Sequence, residues 1–327
     1  MRHWTTRVLL LGALSLSTTL AAAGDSITVG YQTGIDPTKI PQADGAYEKA
    51  TGSTINWRKF ESGAEVIAAV ASGDVVIGNI GSSPLAAAAS RGLPIQAFLV
   101  ADEIGDAEAL VVRNGSKISK PQDLIGKKVA VPYVSTAHYS LLSALKHWNI
   151  DASKVNIINL RPSEITAAWQ RGDIDAAYVW DPALGKVKVS GKVLTSSSQV
   201  AQWGGPTYDI WIVRKDFAEQ HPEIVQRFTK VSLDAIAQYQ ANPQAFIANT
   251  ANLEKISRLT GAAPADVIAG LKGNRFLGQR EQLVRLQKQF VSDVTHTAQF
   301  LKAQGKVDSL QSDYSPWINS QFVKAAR

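Results

Sequence analysis

"VVIGNIGSSPLAAAAS", residues 75–90, predicts a buried strand that runs directly into a helix. The apolar residues 75–77 favour a buried strand, and the alanine-rich run after Pro84 favours a helix. Ser82 or Ser83 is suited to cap that helix, with Pro84 in its first turn. The turn has a second interpretation, because free N–H groups and hydroxyls at a helix N-terminus form an anion site. Both interpretations stay open on this stretch alone.

The same design occurs a second time, 99 residues later. Residues 68–86 and residues 167–184 each contain a helix that ends in Gly-Asp, an apolar strand, and a turn that ends in proline. Strands and helices also alternate from residue 26 onward, which predicts an α/β class with parallel sheets and right-handed crossovers. Two copies indicate two similar lobes. Ligands of such sheets bind beyond the carboxyl ends of the strands, so we expect the polar turns to face each other across a shared cleft.

Residues 1–23 predict a secretory signal peptide that is not part of the fold. Arg2, His3 and Arg7 form a basic start, residues 8–16 are mostly apolar, and residues 21–23 are a small-residue cleavage site. No later segment approaches the roughly 18–20 continuous apolar residues that a spanning helix needs. The expected mature chain is exported, periplasmic and soluble.

The composition excludes several function classes. The sequence has no cysteine, so it offers no disulfide, no thiol nucleophile and no lipid-modified cysteine. Its net charge of +6 is dispersed, which argues against nucleic-acid binding. Five histidines show no HExxH or other paired ligand spacing, so we predict no metal site. No nucleophile elbow, Walker motif or dinucleotide glycine pattern is present, so we predict neither catalytic residues nor a cofactor.

Polar and aromatic side chains near the predicted strand ends form the candidate ligand site. They are Gln32, Ser82, Ser83, Glu108, Ser135, Thr136, His138, Trp180 and Asp209. Hydroxyls and N–H groups at two helix N-termini would hold an anionic group without a counter-charge. Asp209 or Glu108 would accept from an ammonium group, and Trp180 would cover the methylenes or lie against the cation. The set fits a small ligand with one anionic and one cationic end.

Each of these residues also has a purely structural interpretation. Ser135 and Thr136 are suited to cap the helix that follows them, and Trp180 is suited to core packing. Asp209 and Glu108 could simply be solvated. His138 suits the edge of the core. The residues alone leave these alternatives open.

Long stretches of the sequence resemble the periplasmic sulfonate, nitrate and thiamine-precursor binding proteins of ABC importers, and among them the taurine-binding ones. The resemblance covers nearly the whole mature chain and is looser after about residue 240. It is carried by VGYQT, INWRKFESGAEVIAAVASGDVVIGNIGSSPLA, EALVV, KPQDLIGKKVAVPYVSTAHYSLLSALKHW, AAWQRGDIDAAYVWDPAL and QWGGPTYDIWIVRKDFAEQHPE.

The resemblance implies a type II periplasmic binding fold, with two α/β lobes, a ligand cleft and a hinge crossed twice. It implies a first lobe of residues 24–113 plus 211–327 and a second lobe of residues 114–210. The crossing strands would be EALVVR and DIWIVRKDF. It also implies which side chains line the cleft: Gln32, Ser82 and Ser83 from the first lobe, and Ser135, Thr136, His138, Trp180 and Asp209 from the second lobe or the hinge. On physical grounds we assign sulfonate to the hydroxyl turns and ammonium to Asp209, with help from Glu108.

The predicted function is therefore capture of taurine between the lobes and delivery to the permease of an ABC importer, by a monomer that is not an enzyme. One alternative keeps the scaffold and binds an aliphatic sulfonate that lacks the amine. An alternative of another class is a periplasmic hydrolase that uses His138 with Ser135.

Overall fold

Two five-stranded sheets of the same topology organise the protein, whose computed structural model describes residues 26–326. The predicted signal peptide lies outside the described residues. The strands are β1 Ser26–Tyr31, β2 Thr54–Lys59, β3 Ile77–Gly81, β4 Ile95–Glu103, β5 Glu108–Arg113, β6 Lys128–Val131, β7 Asn156–Asn159, β8 Ala176–Trp180, β9 Gly191–Ser196 and β10 Tyr208–Arg214. The first sheet has the order β2-β1-β3-β10-β4, and the second has the order β7-β6-β8-β5-β9.

Each sheet combines four strands of one sense with one strand of the opposite sense. β1 pairs in parallel with β2 and β3, and β6 pairs in parallel with β7 and β8. β10 is antiparallel to β3 and β4, and β5 is antiparallel to β8 and β9. The α/β prediction is confirmed, but the expectation of parallel sheets is wrong for β5 and β10, each of which is the first strand after a crossing between the halves. Those strands enter each sheet in the opposite direction because the chain arrives there from the other half.

Helices cover the faces of both sheets and form most of the chain after β10. They are α1 Lys39–Ala43, α2 Ala46–Thr51, α3 Gly63–Ala71, α4 Ser82–Ser90, α5 Thr136–His147, α6 Pro162–Arg171, α7 Ala183–Lys188, α8 Ser197–Gln202, α9 Lys215–Gln220, α10 Pro222–Ala241, α11 Pro243–Ala248, α12 Thr250–Thr260, α13 Pro264–Gly273, α14 Gln279–Val284, α15 Phe290–Ala303 and α16 Gln321–Ala325. One π-helical turn, Arg285–Gln289, joins α14 to α15. Within residues 26–326 no helix has the length and apolar character needed to cross a membrane.

The opening stretch folds as a strand and a helix, with boundaries that differ from the expected ones. β3 begins at Ile77 and stays paired with β10 as far as Gly81, opposite Asp209. Gly81 is therefore the N-cap of α4, and its serines are the first two residues of the helix. The expectation that Ser82 or Ser83 caps the helix is wrong because the strand ends at Gly81, four residues beyond its apolar run.

The two predicted copies of one design are confirmed. α3 leads through Gly73 into β3, and α6 leads through Gly172 into β8. Both glycines have a positive φ, 88° and 83°, which most side chains disfavour, so the shared Gly-Asp pair ends each helix in the same way. Gly45, at φ 67°, separates α1 from α2.

The chain passes from the first sheet to the second between β4 and β5, and it returns between β9 and β10. The two passages touch, because the Ile104 N–H donates to the Thr207 carbonyl at 2.9 Å. The end of α13 holds the first passage: the Asp106 N–H donates to the Gly273 carbonyl at 2.8 Å, and the Gly105 N–H donates to Asn274 Oδ1 at 3.0 Å. The lobe boundaries after residues 113 and 210 stay a prediction, and strand pairing favours boundaries a few residues earlier.

Candidate functional site

A small cavity lies between the two sheets, at the carboxyl ends of their parallel strands. It offers about 40 Å³ to the centres of water molecules. At roughly 10–15 Å³ per water, this is room for about three waters, so the cavity suits a small solute. Its walls include six of the nine predicted site residues: Gln32, Glu108, Ser135, Thr136, Trp180 and Asp209.

Glu108 is the most constrained carboxyl of the cavity. It is 2% exposed, at the first position of β5. The Thr136 hydroxyl donates to its Oε2 at 2.6 Å and the Ser197 hydroxyl donates to its Oε1 at 2.6 Å. Burial raises the pKa of Glu108 to about 7, and the two hydroxyl donors oppose that rise.

Asp209 lies on β10 directly opposite Asp102 of β4. Asp209 is half-buried, since its side chain faces the cavity, whereas Asp102 is 1% exposed and its Oδ1 has no hydrogen-bond donor. Burial, reinforced by the charge of Glu108, raises the pKa of Asp209 to about 7. Burial and the charge of Asp209 raise the pKa of Asp102 well above its usual range. Lys39, whose charge lowers the pKa of both Asp209 and Asp102, is already paired with Asp36 at 2.8 Å.

Asp181, after β8, is a third carboxyl on the cavity wall. Its Oδ1 accepts from the Gly185 N–H, in the first turn of α7, at 2.8 Å. Burial raises its pKa to about 6. The Thr33 hydroxyl, from the first half, donates to the Asp181 carbonyl at 2.8 Å, so this residue also joins the two halves beside the cavity.

The first turns of α4 and α5 reach the cavity from opposite halves. Gly81 and Pro84 line it at the start of α4, and Ser135 and Thr136 line it at the start of α5. The first N–H groups of a helix have no acceptor within the helix, so both ends favour an anionic group. Ser135 is the N-cap of α5, as expected, because its Oγ accepts from the His138 N–H at 3.1 Å.

The hydroxyl protons of these turns are mostly engaged within the protein. The Ser135 hydroxyl donates to the Pro132 carbonyl at 2.6 Å, and the Thr136 hydroxyl donates to Glu108. Ser82 Oγ accepts from the Tyr208 N–H at 3.2 Å, and Ser83 Oγ is buried without a partner. Ser82 and Ser83 stand next to the wall that Gly81 and Pro84 form, but they are not among the residues that line the cavity.

His138, the ninth predicted site residue, does not line the cavity. Its ring stacks on Tyr133 with centroids 4.7 Å apart, in a separate surface groove that Lys306 also lines. The Val134 N–H donates to its Nδ1 at 3.1 Å. Burial, and then the charge of Lys306, lower the pKa of His138 to about 4. Its contact with Ser135 is made by its backbone N–H, so the two side chains do not form a nucleophile and base pair.

Several residues near the cavity were not predicted from the sequence. Asn274 lines it from the end of α13, and Asp102 lies behind Asp209. Asp102 ends an apolar run, which is visible in the sequence. An acid in that position is, however, also typical of a solvated strand end. In residues 26–326, no three His, Asp or Glu side chains are grouped so that they could hold a metal ion.

Residues 51–246 match the NMT1/THI5-like family. The chain is 52% identical over 315 residues to the taurine-binding periplasmic protein of Escherichia coli K12, a match that covers 96% of this chain and 98% of that protein. Two solved structures are similar in fold. The alkanesulfonate-binding protein of Xanthomonas axonopodis pv. citri, bound to MOPS, has a TM-score of 0.75 at 19% identity, with 92% of this chain and 100% of that chain covered. The periplasmic aliphatic sulphonate binding protein of Escherichia coli has a TM-score of 0.70 at 21% identity, with 89% and 96% covered.

Proposed function

This chain belongs to the NMT1/THI5-like family, and from that membership we propose that it is a periplasmic solute-binding protein that captures taurine. The observation that carries the proposal is the small cavity bordered by three carboxyls and by the N-terminal ends of two helices. Taurine is a zwitterion with two methylenes between its charges. It therefore needs an acceptor and a donor group about one small-molecule length apart.

The ammonium end of taurine would lie against Asp209 and Glu108. Both face the cavity, and Lys39, the lysine whose charge acts on Asp209, is already paired with Asp36. A bound ammonium group would supply the positive charge that these carboxyls lack. Burying either end of taurine unpaired would cost several kcal/mol, so these acids favour taurine over an alkanesulfonate without the amine.

The sulfonate end would lie against the starts of α4 and α5. Since the hydroxyl protons of Ser135 and Thr136 are already donated, the backbone N–H groups of these first turns are the better donors. Gln32 adds an amide on the same wall, with one of its protons donated to the Asn79 carbonyl at 3.1 Å. Trp180 would cover the methylenes between the two ends.

Delivery to an ABC importer follows from the same proposal. The two halves would close on taurine, and the closed form would be recognised by the membrane permease. We propose that the protein acts as a monomer in the periplasm, exported by residues 1–23, without a cofactor or nucleic acid. The hydrolase alternative loses support because the His138 ring is directed away from Ser135.

Calorimetric titration of the mature protein with taurine, ethanesulfonate and β-alanine tests the proposal. We expect tight binding of taurine and weak binding of both controls, because ethanesulfonate lacks the ammonium end and β-alanine has a carboxylate in place of the sulfonate. If ethanesulfonate binds and taurine does not, the aliphatic sulfonate alternative replaces the proposal. Turnover of taurine during the titration would overturn the role as a binding protein.

A further inference from the structure

A chain of buried hydroxyls lies behind Glu108, on the side away from the cavity. Ser197 Oγ, which donates to Glu108 Oε1, is 3.1 Å from Ser140 Oγ and 3.1 Å from Tyr178 Oη. Ser197, Ser140 and Tyr178 are each 0% exposed. None of these three hydroxyl-bearing residues lines the cavity, so any effect on a ligand must pass through Glu108.

Counting the hydroxyl protons shows which group is the donor in the hydrogen bonds that lead to Glu108. An ionised carboxylate only accepts hydrogen bonds, so the single hydroxyl proton of Ser197 is donated to Glu108. The Ser197 oxygen is then the acceptor for the Tyr178 hydroxyl. Burial and the nearby charge of Glu108 raise the pKa of Tyr178, which keeps the phenol a donor. All the donors therefore converge on Glu108, where hydrogen bonds in series strengthen one another.

The other ionisable groups around Glu108 do not favour its charge. Asp209 on β10, Asp102 on β4, Asp181 after β8 and Asp106 in the preceding passage are all acids. Burial also disfavours the ionised form. The hydroxyls of Thr136 and Ser197 are thus the groups that oppose protonation of this carboxyl.

We propose that Ser197 is a positioning residue that holds Glu108 ionised and directed at the cavity, so that the cavity selects ligands with a cationic end. The inference rests on the proposed function for the identity of the ligand. The control of Glu108 by a residue outside the cavity does not depend on the ligand and applies to the ligand-free protein as well.

The test compares Ser197→Ala with Ser196→Ala in two measurements. Ser196 is the matched control because its hydroxyl makes an equally short bond, 2.6 Å, to Asp106 and does not touch Glu108. The first measurement is the NMR titration of the Glu108 carboxyl carbon in ligand-free protein, assigned with Glu108→Gln. We expect the midpoint near pH 7 to rise by about one pH unit in Ser197→Ala, which is roughly what one hydrogen bond to a charged group provides. In Ser196→Ala we expect no change.

The second measurement is taurine affinity between pH 5.5 and 8.5. We expect Ser197→Ala to bind taurine about fivefold more weakly at pH 7, and nearly as tightly as the wild type at pH 8.5, because high pH ionises Glu108 in both proteins. Tyr178→Phe, which keeps Ser197 but removes a donor behind it, should shift both measurements in the same direction by less.

The outcomes separate this inference from the proposed function. A weakening of taurine binding that is the same at every pH, or an unmoved Glu108 midpoint in both Ser197→Ala and Tyr178→Phe, would overturn the role of Ser197. If the wild type does not bind taurine but the Glu108 midpoint moves, the ligand assignment fails and the control of Glu108 by Ser197 stands.

Discussion

At the scale of single residues, the cavity carboxyls make the stability of the protein depend on pH. Asp209 has a pKa of about 7 in the folded protein, against an ordinary value of 3.8, because burial and the charge of Glu108 disfavour ionisation. Between those two values the folded state binds more protons than the unfolded state. The contribution of Asp209 to the free energy of unfolding is therefore highest below pH 4 and is lost as the pH rises toward 7.

We predict that Asp209→Asn flattens this decline, because the amide does not titrate. The measurement is the melting temperature of ligand-free protein from pH 4.5 to 8, with Asp216→Asn as the control. Asp216 is exposed, and its pKa is lowered by hydrogen bonds from Arg214, so its loss should not flatten the decline. Equal slopes for the wild type and Asp209→Asn would contradict the prediction.

The sequence located some of these residues and missed others for a physical reason. Glu108 and Asp209 each lie at or next to the start of an apolar strand, a position that local sequence reveals. Asp102 is buried beside a second acid, Asp209, because β10 pairs with β4. β10 lies about a hundred residues further along the chain. His138 likewise lies in a groove beside Lys306, a residue far along the chain that no local pattern connects to it.

At the scale of elements, one glutamine completes the edge of the first sheet. β4 is the last strand of that sheet, and the 0% exposed Gln282 of α14 pairs with it as another strand would. Its Oε1 accepts from the Val100 N–H at 3.0 Å, and its Nε2 donates to the Val100 carbonyl at 2.6 Å. A buried edge needs such a partner, because unpaired backbone groups are costly away from water.

We predict that Gln282→Leu lowers the free energy of unfolding by about 3 kcal/mol, because it conserves volume but leaves two buried backbone groups unpaired. Urea unfolding checks this against Gln238→Leu, an exposed glutamine of α10, where we expect a change within about 0.5 kcal/mol. A small effect at Gln282 would mean that water enters and replaces its amide.

Element boundaries were less predictable than element types. The residue pattern identified the strand and helix of residues 75–90 and their second copy at residues 167–184. It did not show that β3 continues through Gly78 and Gly81, since glycines carry no apolar signal. Pairing with β10, a tertiary contact, extends that strand and shifts the start of α4.

At the scale of the whole molecule, the repeated Gly-Asp pair was the best evidence for two similar halves, and the two sheets share one strand order. What local sequence did not show is how closely the halves approach each other. Gly81 of the first half faces Thr136 of the second, and a Cβ added at Gly81 would lie 2.6 Å from Thr136 Cγ2. Thr136 is not free to turn aside, because its hydroxyl is bonded to Glu108.

We predict that Gly81→Ala blocks the closed arrangement without damaging either half. The backbone of Gly81 has φ −79° and ψ 163°, which alanine adopts without strain, so the melting temperature should hardly change. Taurine should bind at least tenfold more weakly, and small-angle scattering should show no compaction on its addition. Adding Thr136→Ser removes the opposing methyl and keeps the hydroxyl on Glu108, so the double variant should recover affinity and compaction. If the double variant binds no better than Gly81→Ala alone, the new methyl acts on the ligand and not on the contact between the halves.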